Sequence, residues 1–297
     1  MLVSELIERT LAEWLQPSGD SKDQFDTLTT GIDASVLELE LTGRAEFVPR
    51  DSILQIGSEL ILVSESAGSM VTLAQRAYGA SSADTHSAGD LVFVDPTFTR
   101  VEILNGLRSI VAKLNAWGLY ERAVDTSNTF TTRNVLNLPA GAREIHSIAV
   151  RRSTSDELYA TLSQRGTDWI EYKHFTPPKF KINRSVAAEG QAMSVVCIKN
   201  FTLPSAEDDD LTDDCGLSVE IQEDLPMAVA GQVLKGREVP RVTLDRIREA
   251  LSAAGLNPGV TMNIGDAMIR SFRSDAVTAE RQRMNEIDEP SFEWQRR

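Results

Sequence analysis

The chain has 297 residues, with 30 Lys and Arg against 44 Asp and Glu, for a formal net charge of −14. That length suggests roughly two domains of ~100–200 residues each, and 41% hydrophobic with 25% charged residues is an ordinary soluble globular composition. No apolar run approaches the ~18 residues of a membrane span, and Glu5, Glu8 and Glu13 stand where a signal peptide would carry basic and then apolar residues.

The first helical pattern covers residues 3–15, where Val3, Leu6, Ile7, Leu11, Trp14 and Leu15 form one stripe. Pro17-Ser-Gly ends it, and Ser18 to Asp26 reads as a polar linker. From Thr27 to Pro96 the period changes to two. Short extended pieces recur at Ser35–Leu41, Phe47-Val-Pro, Ser52–Ile56, Glu59–Ser64, Met70–Ala74 and Leu91–Val94. That spacing predicts a small barrel or sandwich.

Residues 97–118 return to helix, with Thr97 or Thr99 as cap and Leu104, Leu107, Val111 and Leu114 on the stripe. Strand patterns then recur through 128–204, around Val135–Pro139, Ile145–Val150, Trp169–Tyr172, Phe180–Ile182 and Met193–Phe201. They suit an antiparallel sandwich. After an acidic stretch, helices are expected at Pro226 to Arg237, Thr243 to Ala254 and Asn263 to about Glu286.

The fold class read from these patterns is α+β, a discontinuous helical bundle with two inserted antiparallel β-modules and a C-terminal arm. The helical core draws on residues 1–27, 97–127 and 225–285. The small barrel takes 28–96, the sandwich 128–205, an acidic loop 206–224 and the arm 286–297. Isolated helices would leave their apolar stripes uncovered, which favours one shared bundle.

Charge is spread unevenly. Residues 1–100 hold 6 basic and 16 acidic residues, and 201–224 hold nine acidic and no basic ones. Sequence-independent grip on nucleic acid needs a basic stripe to displace counterions, and none is visible. An acidic surface would still let duplex DNA slide past.

The chemistry-bearing residues are sparse. His86, His146 and His174 stand at no metal-ligand spacing and read as surface or turn histidines. No Walker loop, Gly-x-Gly-x-x-Gly or Gly-x-Ser-x-Gly elbow occurs. Cys197 lies in an apolar run and reads as a buried hydrophobe, while Cys215 follows two aspartates and makes a poor nucleophile. The run Glu207, Asp208, Asp209, Asp210, Asp213 and Asp214 lacks the Gly and Glu of an EF-hand loop. It reads as a solvated, mobile loop, or as channel-wall charge if it faces DNA. No catalytic residue, metal or cofactor is expected.

The tail is more specific. Phe292 and Trp294 fall on one side of an extended arm, beside Arg296 and Arg297. Such aromatic and arginine anchors fit a groove on another chain.

One stretch carries a family likeness. Gly57-Ser-Glu, then Val71-Thr-Leu-Ala-Gln-Arg-Ala-Tyr-Gly-Ala, then His86-Ser-Ala-Gly resembles a β-module of tailed-bacteriophage structural proteins. Gly57, Glu59, Arg76, Gly79, His86 and Gly89 match it, while Ala77 replaces a Gly and Ala80 a Thr. Gly79 and Gly89 would supply positive-φ turns, and Arg76 can pair a carboxylate across the hairpin. These are scaffold roles.

The layout, together with the stretch Ala228 to Arg241, is similar to the head-to-tail connector (adaptor) proteins of such phages. The resemblance implies a ring of identical subunits, usually twelve, in the virion neck, assembled in the host cytoplasm. Its partners would be the portal, a tail or stopper protein, and double-stranded DNA passing through without specific binding; no membrane is involved. An alternative is a minor tail or baseplate protein, or a glycan-binding virion protein that uses Trp169 and Tyr172 on an open face of the 128–205 sandwich.

Overall fold

A computed structural model describes residues 1–15, 24–43, 45, 48–151, 159–235, 249, 252 and 264–288, with backbone alone at 24, 25, 80, 159 and 280–288. The protein is mixed α/β, built from helices and antiparallel sheets. It divides into two compact units. The first comprises Met1–Ile110, Pro204–Leu211 and Gln222–Asp275; the second comprises Val111–Leu203, Thr212–Ile221 and Ala276–Arg297.

In the first unit, helix α1 (Val3–Thr10) buries Val3, Leu6, Ile7 and Thr10 on one stripe and continues as a π-helical turn, Leu11–Leu15. The first amides of a helix lack intrahelical acceptors. Here the Val3 N–H donates to the Asp209 carbonyl at 3.0 Å and the Ser4 N–H to the Glu207 carbonyl at 2.9 Å. Helix α2 (Arg100–Ala116) opens with a capping box of the kind its sequence permits. The Thr99 N–H donates to Glu102 Oε2 (3.0 Å), and the Glu102 N–H donates to Thr99 Oγ1 (3.2 Å). Helices α3 (Val219–Leu234) and α4 (Ile264–Asp288) belong to this unit from Gln222 on and as far as Asp275 respectively, as α2 does up to Ile110.

Two glycines set how closely these helices approach. A Cβ on Gly106 of α2 would lie 3.1 Å from Val233 Cγ2 of α3. One on Gly231 of α3 would lie 2.8 Å from the Gly265 carbonyl oxygen of α4. At Gly231 backbone faces backbone, whereas at Gly106 the valine side chains of α3 reach the backbone of α2.

The β part of this unit is a six-stranded antiparallel sheet made of β1 (Gln24–Thr27), β2 (Glu38–Glu40), β3 (Ile53–Ile56), β4 (Glu59–Ala67), β5 (Met70–Gln75) and β6 (Leu91–Val94). Its order is β1-β6-β3-β4-β5-β2. The sheet curls into a half-barrel. Its two edges are tied by the Thr29 N–H to the Glu40 carbonyl (2.8 Å) and the Thr42 N–H to the Thr27 carbonyl (2.9 Å). Leu39, Leu54, Ile61, Val63, Val71 and Val92 fill the interior.

The second unit holds two antiparallel sheets. One contains β7 (Glu121–Asp125), β9 (Ala142–Arg151), β10 (Tyr159–Leu162) and β13 (Met193–Lys199) in the order β10-β9-β13-β7. The other is β11 (Trp169–Tyr172), β12 (Lys179–Ile182) and β8 (Leu136–Asn137). Ile148, Val150 and Val195 of the first sheet share one core with Trp169, Phe180 and Ile182 of the second.

Several expectations need correction. Strand β1 lies in the segment read as a polar linker, because its sequence Gln-Phe-Asp-Thr has one apolar residue and its order comes from pairing with β6. Strand β7 lies in the segment assigned to the central helix. Its sequence, Glu-Arg-Ala-Val-Asp, has no alternation of its own, and it pairs along β13. Strand β10 was not anticipated either. Helix α3 begins at Val219, inside the expected acidic loop, and runs through Pro226, where the helix was expected to start. Of the helix expected at 243–254 only 249 and 252 are described, both helical, and the arm beyond 288 lies outside the described residues. Among the described residues, no helix is long and apolar enough to cross a membrane.

Candidate functional site

Arg76 and His86, two of the matched residues, converge on the buried carboxylate of a third, Glu59. Glu59 opens β4 and is fully buried, and Arg76 follows the last residue of β5 in the same hairpin. Arg76 Nε–H donates to Glu59 Oε1 at 2.6 Å and Nη2–H to Oε2 at 2.7 Å, a bidentate pair. Arg76 Nη1 donates to the carbonyls of Asp33 (2.8 Å) and Val36 (3.1 Å), and Nη2 also to that of Asp84 (2.7 Å). All five guanidinium N–H groups are therefore used.

Glu59 receives further donors from the backbone: the Ala77 N–H (3.2 Å) and the Asp84 N–H (3.1 Å). His86 Nε2 stands 2.8 Å from Oε2. An ionised carboxylate only accepts, so Nε2 carries the proton. Burial alone would raise the Glu59 pKa, but Arg76, His86 and the two amides hold it down at about 2. His86 is tied to Ile32 by backbone bonds in both directions, each 2.9 Å.

One carboxylate thus fastens the loops at 33–36, 76–77 and 84–86. Dry and saturated with donors, it has no lone pair free to act as a base; its role is mechanical. His86, read from sequence as a surface or turn histidine, is buried because this carboxylate lies beneath its loop. The turn glycines behave as the motif requires, with φ of 61° at Gly79 and 89° at Gly89. Ala77, which stands where the motif has Gly, also has positive φ, 54°. An L-residue there costs ~1–2 kcal/mol, so Ala77→Gly is expected to stabilise the unit by about 0.5–1 kcal/mol after the added chain entropy. Chemical denaturation would read it.

Next to this knot, α1 and the ends of β3 and β6 enclose a cleft of about 610 Å³. Leu11, Leu91, Phe93 and Phe98 form its apolar wall, and Glu8 and Asp90 bring carboxylates to it. Arg100 lies at one side, with Nε 3.0 Å from Glu207 Oε2 and Nη1 bonded to Glu8. Burial opposes the Arg100 charge, yet the two glutamates raise its pKa further.

The acidic run is only partly a solvated loop. Glu207 is committed to Arg100. Asp209 Oδ2 accepts from the Ser205 N–H at 2.6 Å and the Ala206 N–H at 3.1 Å, and these bonds lower its pKa. Asp210 is bridged to Leu2 through the backbone. Asp208, Asp213 and Asp214 are exposed, while Cys215, placed in the same loop by sequence, is buried. Composition suggested solvation because it cannot reveal that carbonyls from this run serve α1. Cys197 is buried as expected, and burial pushes its thiol pKa up. Phe292, Trp294, Arg296 and Arg297 lie outside the described residues.

A feature of the second unit escaped the sequence reading. The β11–β12 hairpin closes over Lys173-His-Phe-Thr-Pro-Pro, with Tyr172 and Lys179 as its last cross-strand pair. His174 and Phe175 stack with centroids 4.4 Å apart, Tyr172 meets both edge-on at 6.1 Å, and Lys179 Nζ lies 5.4 Å from the Phe175 centroid. Three of the chain's seven lysines fall between 173 and 181, and 173–188 contains no acid. That clustering was the available signal. Trp169, by contrast, is 1% exposed.

Among the described residues, no group of three or more His, Cys, Asp or Glu could hold a metal ion. No protein-family model, curated protein or solved structure matches the chain.

Proposed function

We propose that the chain is a head-to-tail adaptor of a tailed-phage virion, an oligomeric ring subunit in the neck between portal and tail with a DNA channel. The observation that carries this reading is the Glu59–Arg76–His86 knot. Three of the six residues that give the sequence its likeness to the phage β-module, Glu59, Arg76 and His86, are joined in one buried network. The likeness thus rests in part on residues that act together, and their action is structural.

The net charge of −14 suits a conduit that DNA passes without sticking. The arm, with Phe292, Trp294, Arg296 and Arg297, is the proposed anchor in the portal. A minor tail or baseplate position is the second reading, since the same module occurs there. The sugar-binding variant loses its premise, because Trp169 is buried rather than on an open face with Tyr172.

Negative-stain images of the purified chain test the proposal. Rings with an axial hole are expected, together with duplex-DNA binding no tighter than about micromolar at physiological salt. Monomers at every concentration imaged, or tight salt-sensitive DNA binding, would overturn it.

A further inference from the structure

The hairpin tip and the cleft have complementary chemistry. The tip presents Phe175, 45% exposed, the one phenylalanine among the exposed large apolar side chains of the described residues. Cross-strand pairing puts Ile170 with Lys181 and Tyr172 with Lys179, while Phe180 and Ile182 between them are buried in the core. The tip is therefore aromatic and shaped by its own ring contacts before any partner arrives, and it is cationic through Lys179 and Lys181 as well as Lys173, whose Nζ lies 3.5 Å from the buried Glu171 carboxylate.

The cleft of the first unit offers the converse, an apolar wall with Leu91 49% exposed at the mouth and the Glu8 and Asp90 side chains 63% and 44% exposed, Glu8 sharing its charge with Arg100 at one side. Its volume of about 610 Å³ is within the roughly 300–1,000 Å³ of pockets that take compact ligands. A phenyl ring flanked by lysine stems fits that description.

We infer that the hairpin tip at residues 172–181 is an inter-subunit contact that seats Phe175 in the Leu91–Phe93–Phe98 cleft of a second copy, with Lys173 and Lys179 facing Glu8 and Asp90. This rests on the ring reading above. Charge decides for a second copy over nucleic acid. The chain is −14 overall and −10 over residues 1–100, so its own first unit attracts the tip while the chain as a whole repels phosphate. Tip and cleft are different surfaces, so the contact is heterologous and repeats head to tail, closing into a ring when the rotation allows.

Complementary cripples test it in sedimentation velocity. Phe175→Ala has a dead tip and an intact cleft; Leu91→Arg has the reverse. Both positions are exposed, so melting curves should match wild type, and Lys173→Glu with Lys179→Glu is a second dead tip. Wild type should sediment as a ring and each variant alone as a monomer. An equimolar mixture of Phe175→Ala and Leu91→Arg should give a dimer and nothing larger, since one functional contact remains. A monomeric wild type would overturn the ring reading itself. Rings from wild type and from both variants would overturn this contact alone. So would an oligonucleotide or an anionic vesicle bound by wild type and lost on Phe175→Ala while rings persist.

Discussion

Replacing Arg76 by methionine is expected to destabilise the first unit by about 3–5 kcal/mol, the usual cost of stranding one partner of a buried ion pair. Glu59 would remain in the dry interior with only His86 and two amides to balance its charge. Carbonyls of Asp33, Val36 and Asp84 would lose their donor as well, so the loops that carry them would loosen together. At roughly 2–4 °C per kcal/mol for a chain of this size, the melting temperature should fall by on the order of 10 °C. Adding Glu59→Gln to Arg76→Met should cost much less than the sum of the single variants, because the stranded charge disappears. Strict additivity would mean the two residues do not act as a unit.

The same pair fixes an acid response. Glu59 has its pKa lowered from 4.5 to about 2 in the folded chain. A depressed carboxylate contributes stability that is fully present above its unfolded pKa and is lost as pH falls through its folded pKa. Its share of the stability should therefore fade between pH 4.5 and about 2. Glu59→Gln, already weaker at neutral pH, should show a flatter decline over that window.

How much of this was legible depended on where order originates. Helices α1, α2 and α4 carry apolar stripes or caps in their own sequences, and Thr99 with Glu102 announces the start of α2. Strands β3 to β6 alternate or run apolar, so they too declare themselves. Strands β1 and β7 do not, because their order comes from β6 and β13, residues distant in sequence. The knot was half legible. The family likeness named Glu59, Arg76 and His86, and charge suggested a pairing for Arg76. Only the fold reveals that one carboxylate serves all three loops. The Glu207–Arg100 pair, spanning 107 positions, had no local signature at all. The hairpin tip did have one, in its lysine density.

The largest effect is expected from Leu107→Asp. Leu107 is fully buried on α2, one residue from Gly106, where that helix meets Val229 and Val233 of α3. Truncating a core leucine alone costs ~2–5 kcal/mol, and an unpaired carboxylate in that place adds several kcal/mol more. Together these approach the ~5–15 kcal/mol that holds a typical domain folded. Loss of the cooperative melt is therefore expected, read by circular dichroism and by exposure of apolar surface to a dye. Two controls separate packing from charge. Leu107→Met keeps the volume and should cost less than about 1.5 kcal/mol. Asn105→Asp brings the same charge to the exposed side of α2 and, with Arg108 Nη1 3.2 Å from its Oδ1, should be near neutral. If Leu107→Asp instead melts as wild type does, α2 does not lie against α3 through this face, and the helical core proposed for the first unit fails with it.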